Sequence, residues 1–372
     1  MKNNLLKPII LACGTAFLLS ACTGGTKDTT ATDSSMTDST QLASLKPAGP
    51  APEWGKTIEP EMQVVIEKLS SYGDKPIETL SAADARKNHT PTDAVMDLVK
   101  QNNAVIPAAK VDTSGRDIDV EGGKIHLRIY TPKAGNGPYP LIVYYHGGGF
   151  VIANLDVYHA SAQALAEQVG AIVVSVAYRL APENKFPTAH NDAFTAYEWV
   201  VKHAVDLKAD PAKIAVVGES AGGNLAANVS VMARNKHIML PVHEVLIYPI
   251  AQADMNTKSY KMYANAKPLN KAMMSWFMEK YLNSTIEAQD SRISLINADL
   301  KGLPSTTIIT AEIDPLHDDG VMLADKLKAA GVKVETKNYE GVTHEFFGMS
   351  LIVPEAKAAQ TYAADQLKAA FK

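Results

Sequence analysis

The residues best placed to do chemistry lie in Gly218-Glu219-Ser220-Ala221-Gly222-Gly223. Ahead of them, Lys213-Ile214-Ala215-Val216-Val217 is a β-branched apolar run that reads as a buried strand. Behind them, Asn224 to Ala233 reads as a buried helix. A serine between glycines at a strand-to-helix turn is a nucleophile on a sharp elbow. Gly218 and Gly222 remove β-carbons that would clash in so tight a turn. Ser220 is then strained, with its hydroxyl projecting from the sheet edge over a helix N-terminus. A plain glycine-rich turn has the same local pattern, so the assignment depends on partners elsewhere.

One partner is His146-Gly147-Gly148-Gly149-Phe150, directly after the apolar run Leu141–Tyr145. Three glycines let backbone approach a ligand and aim N–H groups at it, as an oxyanion cradle needs. A further N–H comes from the residue after the serine, Ala221. Each such donor stabilises a transition state by about 3–4 kcal/mol. His146 reads as structural, its ring bonded within the loop.

A serine hydroxyl needs a general base, and the base needs an orienting acid. Of ten histidines, His344 in Gly341-Val342-Thr343-His344-Glu345-Phe346 follows the last predicted strand. Asp314, in Ile313-Asp314-Pro315-Leu316, follows the strand before it. The order is then Ser, Asp, His along the chain. Glu312, Asp318 and Asp319 are rival acids. His317 is a rival base, in the wrong order, and reads as supporting or surface.

These residues need a scaffold. Asp117–Val120 and Lys124–Tyr130, joined by Glu121-Gly122-Gly123, read as a hairpin. Further strands are expected at Leu141–Tyr145, Ala171–Ala177, Lys213–Gly218, Glu244–Tyr248, Thr306–Thr310 and Lys333–Tyr339. Helices are expected at His159–Gln168, Thr188–His203, Ala221–Arg234, Asp318–Ala330 and Glu355–Phe371. This alternation predicts an α/β fold, a mostly parallel sheet with helices on both faces. Upstream, helical spacing marks Ile58–Tyr72 and Thr92–Asn102, the latter with Thr92 as N-cap. The interval from Tyr248 to Thr306 breaks the rhythm and is rich in Met and aromatic residues, among them Met273, Met274 and Phe277. Such an insertion predicts a cap over the active edge, with two or three of its side chains lining an acyl pocket.

Composition agrees with a large globular domain: 46% hydrophobic and 20% charged residues in 372. Net charge is −4, about −6 without Lys2 and Lys7, and no basic patch of the kind nucleic acid requires is present. The only cysteines are Cys13 and Cys22, so the folded part holds neither a disulfide nor a cysteine metal site.

The N-terminus carries two lysines and then 13 nearly all apolar or small residues, Ile9 to Ala21, too few to span a bilayer. Leu19-Ser20-Ala21-Cys22 resembles a bacterial lipobox. That resemblance implies cleavage before Cys22, lipid attachment there, and, with Thr23 next, outer-membrane sorting in a Gram-negative cell. A membrane partner through a lipid anchor in the cell envelope is therefore expected. Residues 1–21 are read as signal peptide and 22–52, poor in large apolar groups, as a flexible tether. Residues 53–115 form an N-terminal helical region contributing to the cap, and 116–372 the catalytic domain with the cap insertion at 250–303.

Taken jointly, His146–Phe150, Tyr178-Arg179-Leu180-Ala181-Pro182-Glu183, Phe186-Pro187, Gly218–Asn224, Asp314-Pro315-Leu316 and Gly341-x-x-His344-x-Phe346 resemble the bacterial hormone-sensitive-lipase-like carboxylesterases. The resemblance runs from about Asp117 to the C-terminus. It implies an α/β-hydrolase fold, a helical cap, and hydrolysis of small-molecule carboxylic esters without a cofactor or metal. It also implies catalysis by Ser220, Asp314 and His344, with the Gly148, Gly149 and Ala221 amides as oxyanion hole. The chain departs from the family at Glu219, where Asp is commonest, and at Glu345, where Gly often follows the histidine. Ala177 stands where Asp is frequent, and the loop holding Asn154 and Asp156 has fewer glycines than usual. The run Tyr178–Glu183 is read as structural, its arginine and glutamate locking the loop by an ion pair. The same triad could cut amides or lactones, and a hydrolase fold can serve as a binding module.

Overall fold

The computed structural model describes residues 45–372; the expected signal peptide, Cys22 and the first part of the tether lie outside these residues. Three helices come first: α1 (Pro60–Ser71), the single turn α2 (Ala82–Ala85) and α3 (Pro91–Gln101). An eight-stranded sheet follows. Its strands are β1 (Val111–Val120), β2 (Gly123–Pro132), β3 (Tyr139–Tyr145), β4 (Ile172–Ala177), β5 (Ala209–Glu219), β6 (His243–Ile247), β7 (Ser305–Ile313) and β8 (Val334–Thr343). They lie side by side in the order β1-β2-β4-β3-β5-β6-β7-β8. β2 pairs antiparallel with β1 and β4, and every other pairing is parallel.

Alternation of side chains along each strand divides the core into two layers. Leu141, Val143 and Tyr145 pack with α5 (Thr188–His203), α6 (Ala221–Asn235) and α9 (His317–Ala329). Ile142 and Tyr144 point the other way, into a layer built with α1, α3, α4 (His159–Val169) and α10 (Pro354–Ala370). Buried on both faces, the central strands are continuous apolar runs, as parallel strands require.

The hairpin is longer than its apolar pattern. The β1–β2 register runs from Val111↔Pro132 to Val120↔Gly123, closing on Glu121-Gly122 with Gly122 at φ +75°. Most of β1 is exposed, with Asp112, Arg116, Asp117 and Asp119 charged, as suits an edge strand guarding against intermolecular pairing, and such residues carry no apolar signal.

Three expectations need correction. The N-cap of α3 is Thr90, not Thr92: its hydroxyl accepts from Asp93 N, Asp93 reciprocates, and Pro91 takes the first helical position. Thr92 instead donates its hydroxyl to Val157 O at 2.7 Å. Segment 45–52, expected within the tether, is held against α1: Glu67 accepts from Ala48 N and Gly49 N, and Gln63 donates to Gly49 O and Pro50 O. Finally, Arg179 and Glu183 do not pair with each other. Arg179 binds Asp192 at 2.7 Å, and Glu183 binds Arg86 of the N-terminal region at 2.7 Å.

Between β6 and β7 the chain forms α7 (Lys258–Met262), α8 (Lys271–Tyr281) and short 3-10 turns. Asn270 caps α8 by accepting from Met273 N. Trp276 Nε1 of α8 donates to Leu80 O, joining the insertion to the N-terminal segment. Together they overlie the carboxyl edge of the parallel strands.

Candidate active site

β5, β7 and β8 are parallel, so the residues just past their ends emerge at one edge: Ser220, Asp314 and His344. Ser220 has φ +56° and ψ −117°, a conformation L-residues rarely adopt. The flanking glycines make it feasible. A β-carbon on Gly218 would lie 2.0 Å from Gly222 O, and one on Gly222 would lie 2.0 Å from Tyr145 O.

His344 Nδ1 donates to Asp314 Oδ2 at 2.7 Å, and the Ser220 hydroxyl donates to His344 Nε2 at 2.9 Å. All three side chains are buried. The second Asp314 oxygen accepts from Leu316 N at 2.8 Å, which fixes the carboxylate. Burial opposes a charged His344 ring, but the carboxylates of Asp314, Glu345 and Glu219 outweigh it and raise the pKa above 6.5.

The structure gives the rivals other tasks. Glu312 accepts from Thr57 Oγ1 and Gly341 N. Asp318 accepts from Ser259 N. Asp319 is buried and accepts from Ala251 N and Gln252 N at the root of the insertion. His317 Nδ1 donates to Ala311 O, away from Ser220.

The glycine loop faces Ser220. Gly148 and Gly149 have φ +96° and +60°. Among the described residues, the N–H groups of Gly148, Gly149 and Ala221 have no protein acceptor. A β-carbon on Gly149 would sit 2.3 Å from the Phe277 ring. His146 bonds through Nδ1 to Gly147 O at 2.8 Å and stacks on Tyr178, whose hydroxyl donates to His146 O. Burial pushes its pKa down to about 4, so the ring is neutral at pH 7 and holds the loop.

A cavity of about 420 Å³ opens above Ser220 and His344. Gly148 and Gly149 form part of its floor. Leu269, Met273, Met274 and Phe277 of the insertion and Ile77 of the N-terminal segment supply apolar walls. Asp74, Arg86 and His89 bring polar groups to it.

Several neighbours carried no sequence signal of their role. Arg86 donates to Val151 O, just past the glycine loop, to Ala181 O, and to both Glu183 oxygens, tying the N-terminal region to the site. Tyr144 and Tyr248 each donate a short hydrogen bond to Glu219. Burial, reinforced by Glu345, raises the Glu219 pKa to about 7. Tyr158 donates to both oxygens of Glu345, at 2.6 and 2.7 Å. Among the described residues no cluster suited to a metal ion is present.

Comparison with known proteins adds independent findings. A family model described as alpha/beta hydrolase fold matches residues 142–348. The carboxylesterase NlhH of Mycobacterium tuberculosis is 40% identical over 239 residues, which is 63% of this chain and 75% of that protein. An ethyl acetate hydrolase of Pseudomonas putida is 33% identical over 299 residues, covering 79% of this chain and 92% of that one. The crystal structure of a thermostable Pseudomonas putida esterase superimposes with a TM-score of 0.78 at 32% identity, covering 87% of this chain and 99% of that one.

Proposed function

The chain belongs to the alpha/beta-hydrolase family of carboxylesterases and is a serine hydrolase acting on ester bonds; on that premise we propose that it cleaves short- to medium-chain carboxylic esters through an acyl-enzyme on Ser220, while lipid-anchored in the bacterial envelope. One observation carries the catalytic part of this reading. The Ser220 hydroxyl is hydrogen-bonded to an imidazole that Asp314 orients, beside three amides whose N–H groups have no acceptor among the described residues.

The cycle has two halves. His344 Nε2 takes the Ser220 proton as Oγ attacks the ester carbonyl. The amides of Gly148, Gly149 and Ala221 stabilise the developing oxyanion. The protonated ring gives its proton to the leaving alcohol, and Asp314 stabilises the ring's positive charge meanwhile. Water, deprotonated by the same nitrogen, then releases the acid.

The size of the cavity and its Met and Phe walls support acyl chains of roughly C2–C8, a small-molecule range. The relative named for ethyl acetate is in keeping with small esters. A chain-length series of p-nitrophenyl esters tests this. Turnover should peak at or below C8, and faster cleavage of emulsified long-chain triglyceride would overturn it.

The anchor is supported by the sequence Leu19-Ser20-Ala21-Cys22 behind an apolar segment. Several acyl chains at Cys22 would hold the protein stably at a membrane, outer if the cell is Gram-negative. Labelled palmitate should enter the protein in cells and should fail to enter a Cys22→Ser variant. Equal labelling of both would remove the anchor from the account.

A further inference from the structure

Glu345 stands where glycine commonly follows the histidine, and among the described residues its carboxylate takes hydrogen bonds from Tyr158 alone. Its backbone is left-handed, with φ +69° and ψ +3°, a region that disfavours side chains. Its carboxylate is largely covered yet borders the cavity. A strained, non-glycine residue with a covered charge beside a nucleophile calls for a functional account.

The geometry is specific. Glu345 Oε1 lies 3.8 Å from His344 Nε2, the nitrogen that bonds Ser220 Oγ. Tyr158 spans both Glu345 oxygens with one O–H and so anchors the carboxylate in place. One hydroxyl does not saturate a carboxylate, whose two oxygens accept about four hydrogen bonds. Two acceptors 3.8 Å apart can share one water, at about 2.8 Å from each.

We propose that Glu345 orients the hydrolytic water of deacylation, accepting one of its hydrogens while His344 Nε2 accepts the other. This rests on the acyl-enzyme reading above. Once Ser220 is acylated, Oγ has no proton, and Nε2 is free to receive one from water. With both hydrogens engaged, a lone pair of the water oxygen is left for the acyl carbon. The C–O bond to water forms as one proton passes to Nε2, giving the tetrahedral oxyanion. That intermediate collapses by breaking the C–Oγ bond, and Nε2 returns its proton to Oγ. The second hydrogen leaves with the carboxylic acid and is lost to solvent.

The arrangement distinguishes water from alcohols. An alcohol has one hydroxyl hydrogen, needed at Nε2, and would turn carbon towards the carboxylate. Glu345 therefore favours hydrolysis over acyl transfer to alcohols.

The test is stopped-flow turnover of p-nitrophenyl acetate by the full-length protein, with and without methanol. Glu345→Gly removes the carboxylate and suits the left-handed backbone, so folding is preserved. We expect it to keep its acylation rate within about twofold and to deacylate about tenfold more slowly. Its p-nitrophenolate burst should approach one per Ser220, and its ratio of methyl acetate to acetate should rise several-fold. Glu345→Gln keeps a carbonyl acceptor and should recover most of the deacylation rate. The proposal is overturned if Glu345→Gly deacylates and partitions like the wild type. It is also overturned if acylation and deacylation fall by the same factor, because the residue then only holds the loop. If acid-quenched wild type carries no acetyl group on Ser220, the acyl-enzyme reading itself fails, and this inference with it.

Discussion

Asp314 Oδ2 accepts from His344 Nδ1 at 2.7 Å, with both side chains buried. That one bond sets the tautomer. With its proton on Nδ1, the ring offers a lone pair at Nε2 to the Ser220 hydroxyl 2.9 Å away. An amide at 314 could donate to Nδ1 and so reverse the tautomer. Asp314→Asn is expected to lower kcat for p-nitrophenyl butyrate by about 10⁴-fold with an unchanged circular dichroism spectrum. A loss under tenfold would show that another acid orients the ring.

The same surroundings predict a pH profile. In the proposed cycle His344 serves as the base only when neutral, and its pKa is raised above the ordinary 6.5, because Asp314, Glu345 and Glu219 outweigh burial. Activity should therefore fall as pH drops, with the midpoint of the acid limb of kcat/KM above 6.5. Replacing Glu219 with Gln removes one of those carboxylates and should move the limb to lower pH. An unmoved limb would mean that Glu219 is already neutral there.

Gly149 has φ +60° and no room for a β-carbon, which would meet the Phe277 ring at 2.3 Å. Gly149→Ala must displace the loop or the cap helix. We predict a loss of about 10²–10³-fold in kcat, the effect of removing one oxyanion donor, with a melting temperature lower by several degrees from the strain. Near-normal kcat would mean that the Gly149 amide does not face the developing charge.

Glu244 offers a test of stability away from the site. It is buried, its oxygens accept from Ser230 and Thr306 hydroxyls, and burial raises its pKa to about 7. An acid whose folded pKa is raised contributes stability at low pH, below its unfolded pKa. Between about 4.5 and 7 the unfolded state releases the proton that the folded state keeps, so stability falls as pH rises. Over that window the contribution lost is about 3 kcal/mol. Glu244→Gln should therefore gain on the wild type in thermal melts between pH 4.5 and 8. A difference that does not depend on pH would refute this.

The Arg179–Asp192 pair should matter more than a surface ion pair, because Asp192 is buried and takes three hydrogen bonds from Arg179. Arg179→Met leaves that carboxylate without its partner and should destabilise by about 3–5 kcal/mol in urea unfolding. Arg179→Met with Asp192→Leu should recover part of this. A single variant within about 1 kcal/mol of wild type would show that the carboxylate finds other partners.

How much of this could be read from the chain depends on the kind of interaction. The central strands from Leu141 to Thr310 were legible because burial on both faces makes each a largely apolar run, whereas β8 at the edge is mostly exposed. Ser220 and Asp314 were legible because each follows such a strand, and His344 because it follows the parallel strand β8 beside them, so that all three lie at one edge. The outer half of β1 was not, since Asp112, Thr113, Ser114 and Gly115 are exposed and polar or small. The partners of Arg179 and Glu183 were also hidden. A glutamate four residues from an arginine looks like a local pair, but Asp192 lies on α5 and Arg86 at the end of α2, which only the folded chain brings near. Arg86 and Tyr158 had no spacing to mark them, and Glu345 was visible only as a departure from the family's glycine.

The central claim is that Ser220 carries the acyl group. A p-nitrophenyl phosphonate should inactivate the protein with one adduct per chain, found by mass spectrometry on the peptide holding Ser220. Ser220→Ala should take up no adduct and lose hydrolysis of p-nitrophenyl butyrate while remaining folded. Full activity in that variant, or an adduct on another residue that tracks the loss of activity, would contradict the account.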